Sequence, residues 1–243
     1  MVSDGKIGSD PYGYINGYDE GRIWNGNSSV NSSNTYISSG IKPESTTTWE
    51  IGANAQLLKG RLGLDVAYYK SRDYNNIINS SVSAPSAYSF VLLNGDEYQR
   101  QGIEFIVNGK LIKSENFNWN ISANLSKNER TQTKIYGGKS QTVNNIKVGE
   151  RTDAIYAEVY QTNSNGEVIF KNGLPVEDPY NKFIGNANSD WVFGITNNLS
   201  YKNFDFSFSF DGRNGGVIYS TTNQKMWWGG THSGTVNQFR DDA

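Results

Sequence analysis

The chain of 243 residues contains no cysteine and only one histidine. Without cysteine it can form no disulfide, no thiolate nucleophile and no cysteine-based metal site. A single histidine also excludes metal sites built from several histidines. That residue, His232, lies in a glycine-rich segment without a Gly-x-Ser-x-Gly nucleophile elbow, which favours a solvated loop histidine over a catalytic one. We therefore predict no enzymatic activity and no cofactor.

The sequence also lacks an excess of charge of one sign and any long apolar run. A formal net charge of -2 gives no broad basic surface, so nucleic acid is not an expected partner. No segment approaches the roughly 20 apolar residues of a transmembrane helix. The first residues, Met1 to Lys6, contain no apolar signal-peptide core, so the chain is expected to be either a non-exported protein or a fragment without its true start.

The sequence is rich instead in segments where apolar and polar residues alternate, which is the period of a half-buried β-strand. Odd-numbered residues are apolar from Trp49 to Leu57 and from Phe117 to Leu125, and even-numbered ones from Phe204 to Phe210. Two further segments alternate with one exception each: Asn197 is polar on an apolar face, and Ile106 is apolar on a polar face. No convincing helix of three turns is predicted.

Short turns and long polar loops alternate between these strands. Hairpins are expected at about 46–74, 98–128 and 190–214, with long loops between them. We divide the chain into an extracellular loop region, 1–45, and a partial barrel, 46–243. Each strand spans roughly 9 to 13 residues, against about 9–11 needed to cross a bilayer. Short periplasmic turns and long extracellular loops are typical of outer-membrane barrels.

The pattern therefore predicts an all-β fold, an antiparallel up-and-down transmembrane β-barrel wall of about six to seven strands. The apolar face would contact outer-membrane lipids, and the polar face would line a wet lumen. The strand residues expected on the lumen face are Glu50, Asn54, Glu104, Asn118, Asn120, Asn124, Asp205 and Asp211. The acids among them could in principle form a glycoside-hydrolase pair, but solvation of the lumen is the favoured interpretation.

One alternative remains open from the pattern alone. Amphipathic strands also build soluble β-sandwiches, in which the apolar faces pack inward. The chain would then be a soluble carbohydrate-binding module that uses the same aromatic residues. Long strands, the asymmetry of turns and loops, and bulky aromatics near the strand ends favour the barrel.

Several motifs in this order resemble the SusC/RagA-like TonB-linked outer-membrane proteins. They are Gly40–Gly52 (GIKPESTTTWEIG), Asn94-Gly95 with Gln101–Phe105 (QGIEF), Val148–Glu150, Ile184–Asn186 and Phe210–Gly216 (FDGRNGG). The resemblance covers most of residues 40 to 220. It implies an internal fragment from the C-terminal half of a barrel of about 22 strands with a plug in its lumen. One departure is Asn165–Gly173, where relatives carry an aspartate-rich stretch, so no calcium site is predicted there.

The resemblance also implies partners. Proteins of this kind import glycans or peptides, carry a SusD-like surface lipoprotein as a lid, and are driven by TonB through a plug that this sequence lacks. Paired tryptophans in a polar loop could stack on sugar rings or contact the lid, or could simply pack the loop. The candidate ligand or lid contacts are Trp227, Trp228 and Tyr219, and the same ambiguity applies to Tyr12, Tyr14, Tyr18 and Trp24.

Overall fold

The main element of the chain is one antiparallel sheet of seven strands, seen in a computed structural model that describes residues 2–4, 16–142 and 144–236. In chain order these wall strands are β1 (Val2–Asp4), β2 (Ser45–Leu57), β3 (Leu62–Tyr74), β4 (Glu97–Lys113), β5 (Phe117–Lys134), β6 (Trp191–Tyr201) and β7 (Phe204–Asn214). Each wall strand pairs with the next, so the sheet is an up-and-down meander. The predicted all-β partial barrel wall is confirmed.

The pairing register keeps the apolar residues on one face across the whole sheet. One row across six strands reads Ala55, Leu64, Val107, Ala123, Ile195 and Phe210. Because side chains alternate with a period of two, a slip of one residue would move every one of these to the other face. The hydrophobic pattern and the register therefore specify the same arrangement.

The polar exception on the apolar face, Asn197, has a partner there. It is buried, and its side-chain oxygen accepts a hydrogen bond of 3.1 Å from the indole Nε1 of Trp119 on the neighbouring strand. A buried polar group without such a partner would cost stability. Close to this pair the ladder between β4 and β5 shifts register between Trp119 and Asn120.

The apolar face is uncovered. Ile51, Phe206 and Phe210 each keep more than 60% of their surface exposed, at 67%, 63% and 62%. Within the described part of the chain, the large apolar residues that are buried are Leu93 and Ile135, and neither is fully enclosed. A β-sandwich would cover this face with a second sheet at about 10 Å, and none of the smaller sheets among the described residues joins the wall strands. The sandwich alternative does not fit this arrangement.

Two central strands extend well past the apolar region. On the apolar face of β4, which we also call the outer face, the apolar region runs from Ile103 to Leu111. This is roughly 27 Å along the strand at about 3.4 Å per residue. This is close to the height of about 25 Å that outer-membrane barrels expose to lipid. Beyond it, β4 and β5 continue to 17 and 18 residues, and the outer-face residues there, such as Gln99 and Glu129, are polar.

The long loops, all at one end of the sheet, contain small elements of their own. A three-stranded sheet joins Thr35–Ile37, Ile77–Ser81 and Phe90–Asn94. Two-stranded pairs form from Tyr18–Glu20 with Val30–Ser32, Ala154–Ala157 with Lys182–Asn186, and Phe170–Lys171 with Leu174–Pro175. An α-helix, α1 (Thr221–Trp228), follows the last wall strand. No helix in the described ranges has the length and apolar character of a membrane span.

The strand bounds differ from the expected hairpins at the loop end. The second hairpin extends to Lys134, where the sequence suggested about 128. Val2–Asp4, within the expected loop region 1–45, pairs with Ser45–Thr47 of β2. The division into a loop region and a partial barrel remains a prediction.

Candidate functional site at the loop end

The eight polar residues singled out in the strands all lie on the same face of the sheet, opposite the apolar rows. Asn54 donates a 3.0 Å hydrogen bond to Asp65 on the adjacent strand. Asn124 and Asp211 lie on either side of Gly194, and a Cβ on that glycine would come within 2.8 Å of the Asp211 carboxylate. The missing side chain thus makes room for two polar groups on one row.

Short polar side chains pair across the last two strands of this face. The Ser207 hydroxyl donates to the Asn198 side chain at 2.8 Å, and the hydroxyls of Thr196 and Ser209 lie 2.9 Å apart. Such cross-strand pairs are the unit of sheet stabilisation. A face built from amides and hydroxyls suits contact with water or with polar ligands.

The two strand acids of β7 are too far apart to act together in glycoside hydrolysis. Asp205 and Asp211 lie on one strand, six residues apart in sequence, which separates them by roughly 20 Å. Paired carboxylates in glycosidases lie about 5–9.5 Å apart. These two residues therefore cannot act as one catalytic pair.

Two arginines face each other at the loop end of the polar face. Arg100 of β4 lies directly opposite Arg130 of β5, and both contact the carboxylate of Asp73, at 2.7 Å and 3.6 Å. Asp73 is buried and also accepts a 2.9 Å hydrogen bond from Thr46. The Arg130 guanidinium lies 3.8 Å from the centre of the Tyr98 ring. Like charges directly opposite destabilise a sheet, so one carboxylate and one aromatic ring hold two cations in place.

A third arginine fixes the base of the long loop between β5 and β6. Arg151 donates to both carboxylate oxygens of Asp153, at 2.9 and 2.8 Å, and contacts Asp190 at 2.5 Å. It also donates to the Asn188 carbonyl at 3.0 Å. These bonds hold residues 151–153, which lie beside β5 through the bridge from Thr131 to Arg151, against the residues just before β6.

This arrangement affects the ionisation of Asp153. Partial burial works against its charged form, but the hydrogen bonds from Arg151 and the Asn188 N–H, with the charge of Arg151, outweigh burial. The pKa of the Asp153 carboxyl therefore lies below its ordinary value. A carboxylate with a lowered pKa stabilises the fold at neutral pH, and this contribution is lost as the pH falls below about 4.

The two arginine groups border one cavity, which we call the loop-end cleft. It has a volume of about 470 Å³. Its walls include Arg100, Arg130, Arg151 and Arg213, with Ser126, Asn128, Asp153 and Val192. Among the residues that the structure describes, Arg213 forms no ion pair.

No local motif in the sequence indicates the cleft. The alternation along each strand does place three of the cleft's arginines on the polar face. Arg130 lies an even number of residues from Asn124, Arg100 from Glu104, and Arg213 from Asp211. The alternation does not show that strands far apart in sequence bring these arginines to one cavity.

The predicted loop contacts lie beyond the last wall strand, on and beside α1. Trp228 and Tyr219 are exposed, at 76% and 62%. Trp227 is half exposed and stacks on His232, with ring centres 4.5 Å apart. The Nδ1 of His232 accepts a hydrogen bond from the Gly234 N–H. Trp227 thus has a packing role within its loop, whereas Trp228 and Tyr219 are open to a partner.

The remaining candidates occupy other loops. Tyr18 and Trp24 are exposed, while Tyr12 and Tyr14 lie outside the described residues. Asn163 closes a polar turn by accepting hydrogen bonds from the N–H groups of Asn165 and Glu167. The described ranges contain no group of three or more His, Cys, Asp or Glu side chains arranged to hold a metal ion.

A meander of long strands with one uncovered apolar face, one polar face and its loops at one end is the wall of a transmembrane β-barrel. The chain belongs to the TonB dependent receptor-like β-barrel family, whose model matches residues 11–242. It is thereby part of a bacterial outer-membrane protein of the SusC/RagA-like kind, as the sequence motifs predicted.

Individual relatives agree with this placement. The chain is 30% identical over 213 residues to the TonB-dependent receptor SusC of Bacteroides thetaiotaomicron, covering 74% of this chain and 20% of that protein. It is 25% identical over 208 residues to a TonB-dependent receptor of Formosa agariphila, covering 73% and 21%. The chain therefore spans about a fifth of the length of the curated relatives it matches.

A solved structure shares the fold. The RagAB peptide importer in its open-open state superposes with a TM-score of 0.67 at 16% identity, over 88% of this chain and 25% of that one. A second structure of the RagAB peptide transporter gives 0.61 at 17% identity, over 82% and 24%.

Proposed function

We propose that this chain forms part of the barrel of a TonB-dependent importer of glycans or peptides in the outer membrane. The observation that carries the proposal is the uncovered apolar face of the wall, continuous across six strands, set back to back with a polar face. In this arrangement the apolar rows contact lipid and the polar rows line a wet lumen. The eight predicted lumen residues, from Glu50 to Asp211, would then be in contact with the water of the lumen.

The loop end would face the outside of the cell, and the turn end the periplasm, as in other barrels of this kind. Substrate would then arrive at the loop-end cleft before it reaches the lumen. Energy would come from TonB acting on a plug in the lumen, as the resemblance to SusC/RagA-like proteins implies. In this proposal the chain positions and conducts a substrate, and no bond in the substrate is broken.

A lid lipoprotein resembling SusD is proposed to cover the loop end. One similar structure is named as the RagAB peptide importer, and one similar protein is named SusC. Support from this chain comes from two exposed aromatic side chains, Trp228 at the end of α1 and Tyr219 just before it. Large aromatic residues are enriched where proteins bind partners.

Gene deletion tests the transport proposal directly. The host lacking the parent gene should lose growth on one glycan or peptide pool, and a host without functional TonB should lose growth on the same pool. Growth of both strains on every pool at the wild-type rate would refute the proposal. A loss confined to glycans or to peptides would identify the substrate class.

Copurification tests the lid. A tagged full-length protein should retain its lipoprotein partner, and Trp228→Ala combined with Tyr219→Ala should reduce the retained amount severalfold. The matched control is Tyr180→Ala, an equally exposed aromatic residue in another loop. If the double variant retains as much lipoprotein as the control, these residues are not the lid contact.

A further inference from the structure

The loop-end cleft contains an unusual number of arginines for one cavity. Arg100, Arg130, Arg151 and Arg213 come from four separate parts of the chain, the first in β4 and the last in β7. Arginine presents a planar fork of donors that matches carboxylates and similar anions. Four such groups around one cavity give it a positive potential that favours an anionic ligand.

The protein supplies fewer carboxylates than guanidinium groups. Asp73 forms ion pairs with both Arg100 and Arg130. Asp153 and Asp190 both form ion pairs with Arg151. Glu129 also borders the cavity, but its side chain lies on the outer face, where it contacts Gln101 and Lys127. Three carboxylates are thus fully engaged, and in the described part of the chain Arg213 is left without one.

The position and size of the cleft suit a ligand that arrives from outside. It lies at the loop end of the polar face, between the wall strands and the base of the 135–190 loop. Its volume of about 470 Å³ is within the usual range of about 300–1,000 Å³ for small-molecule sites. Asn128 and Ser126 add neutral hydrogen-bonding groups beside the arginines.

We infer that the loop-end cleft binds a carboxylate group of the imported substrate, with Arg213 as the principal contact and Arg130 as the second. The inference rests on the proposed import function and narrows its substrate to acidic glycans or acidic peptides. A ligand carboxylate would give Arg213 a partner and would supply the pair Arg100 and Arg130 with a second anion.

Binding of defined probes to the purified full-length protein in detergent tests this inference. The probes are fluorescein-labelled tetragalacturonate, a labelled tetraglutamate peptide and labelled maltotetraose, which is neutral. Fluorescence anisotropy should show binding of at least one acidic probe and at least tenfold weaker binding of the neutral one. Because the contact is ionic, raising NaCl from 50 to 500 mM should weaken acidic binding severalfold.

Matched variants locate the site. Arg213→Gln should weaken acidic binding about tenfold, and Arg213→Lys should recover part of that loss because the charge returns without the fork. Lys202→Gln, which removes an exposed charge at the turn end of the same sheet, is the control and should leave binding unchanged. Which acidic probe binds more tightly decides between a glycan and a peptide.

Three results would overturn the inference. They are equal binding of neutral and acidic probes, an Arg213→Gln protein that binds acidic probes like the wild type, and no acidic binding at all. A lower melting temperature of Arg213→Gln without a change in acidic binding would assign the arginine to internal contacts instead. If the deletion host still loses growth on a neutral nutrient, the import proposal stands although the acidic specificity fails.

Discussion

The cost of a charge in the wall depends on the face that receives it, and neighbouring residues of β7 allow a direct comparison. Phe208 lies on the apolar face between the rings of Phe206 and Phe210, with ring centres 5.4 and 5.6 Å away. Ser207 is its neighbour on the polar face. Phe208→Arg in the full-length protein should cost about 2–4 kcal/mol of unfolding free energy if it lies near mid-depth in the bilayer, and Ser207→Arg much less.

Urea unfolding of the two variants in lipid vesicles measures this difference. Phe208→Leu is the control for loss of the ring without added charge. Equal destabilisation by arginine at both positions would refute the assignment of the faces.

The buried pair of Trp119 and Asn197 makes a second prediction at the level of single residues. Trp119→Phe removes the donor and leaves the Asn197 amide unsatisfied on the apolar face, which should cost about 1–3 kcal/mol beyond the lost ring area. Adding Asn197→Leu should restore much of that loss, because the polar group is then gone. A double-mutant cycle isolates the interaction, and strictly additive effects would show that the hydrogen bond contributes nothing.

At the level of elements, the 135–190 loop should depend on one arginine for its attachment. The Arg151 side chain is only 13% exposed. It bonds Asp153 within the loop and Asn188 and Asp190 just before β6. Arg151→Ala should speed cleavage within this loop by at least tenfold in limited proteolysis, with little change in the melting temperature of the barrel. Its loss breaks contacts between loop residues rather than the ladder between β5 and β6.

Lys182→Ala is the matched control for that experiment. It removes an exposed ion pair with Asp178, four residues away, in the same loop. Isolated exposed pairs contribute about 0–1 kcal/mol. Equal cleavage rates for the two variants would contradict the anchoring role of Arg151.

Prediction from sequence succeeded where the two faces of a strand differ in polarity. From Phe117 to Leu125 the alternation predicted the strand and its two faces, because the apolar residues all lie on one side of the sheet. It failed at the loop end of β5, where Glu129 and Thr131 lie beyond the apolar region. Apolar and polar residues no longer alternate there, so residues 129–134 were assigned to the following loop.

The loop-end cleft was beyond prediction for a different reason. Arg100 and Arg213 are more than a hundred residues apart, and only the meander through β5 and β6 brings them to one cavity. Local patterns carry no information on such distances. The short helix Thr221–Trp228 was also missed, since its polar residues show almost no amphipathic period.

At the scale of the whole molecule, the outer surface requires an apolar environment. Side chains such as Phe204, at 77% exposure, and Ile51 form one continuous apolar surface across the sheet. Soluble monomers rarely expose apolar patches larger than a few hundred Å². The refolded chain should therefore sediment as an aggregate in plain buffer and remain dispersed with β-rich circular dichroism in detergent micelles.

Both measurements are needed because each alone has a second explanation. Aggregation alone would fit any misfolded chain, and dispersal alone would fit any detergent-coated peptide. If β-strand content appears only with micelles, the chain folds only when detergent covers its apolar face. A β-rich, soluble monomer in plain buffer would mean that the apolar rows pack against each other, and it would require the wall arrangement to be abandoned together with the import function that depends on it.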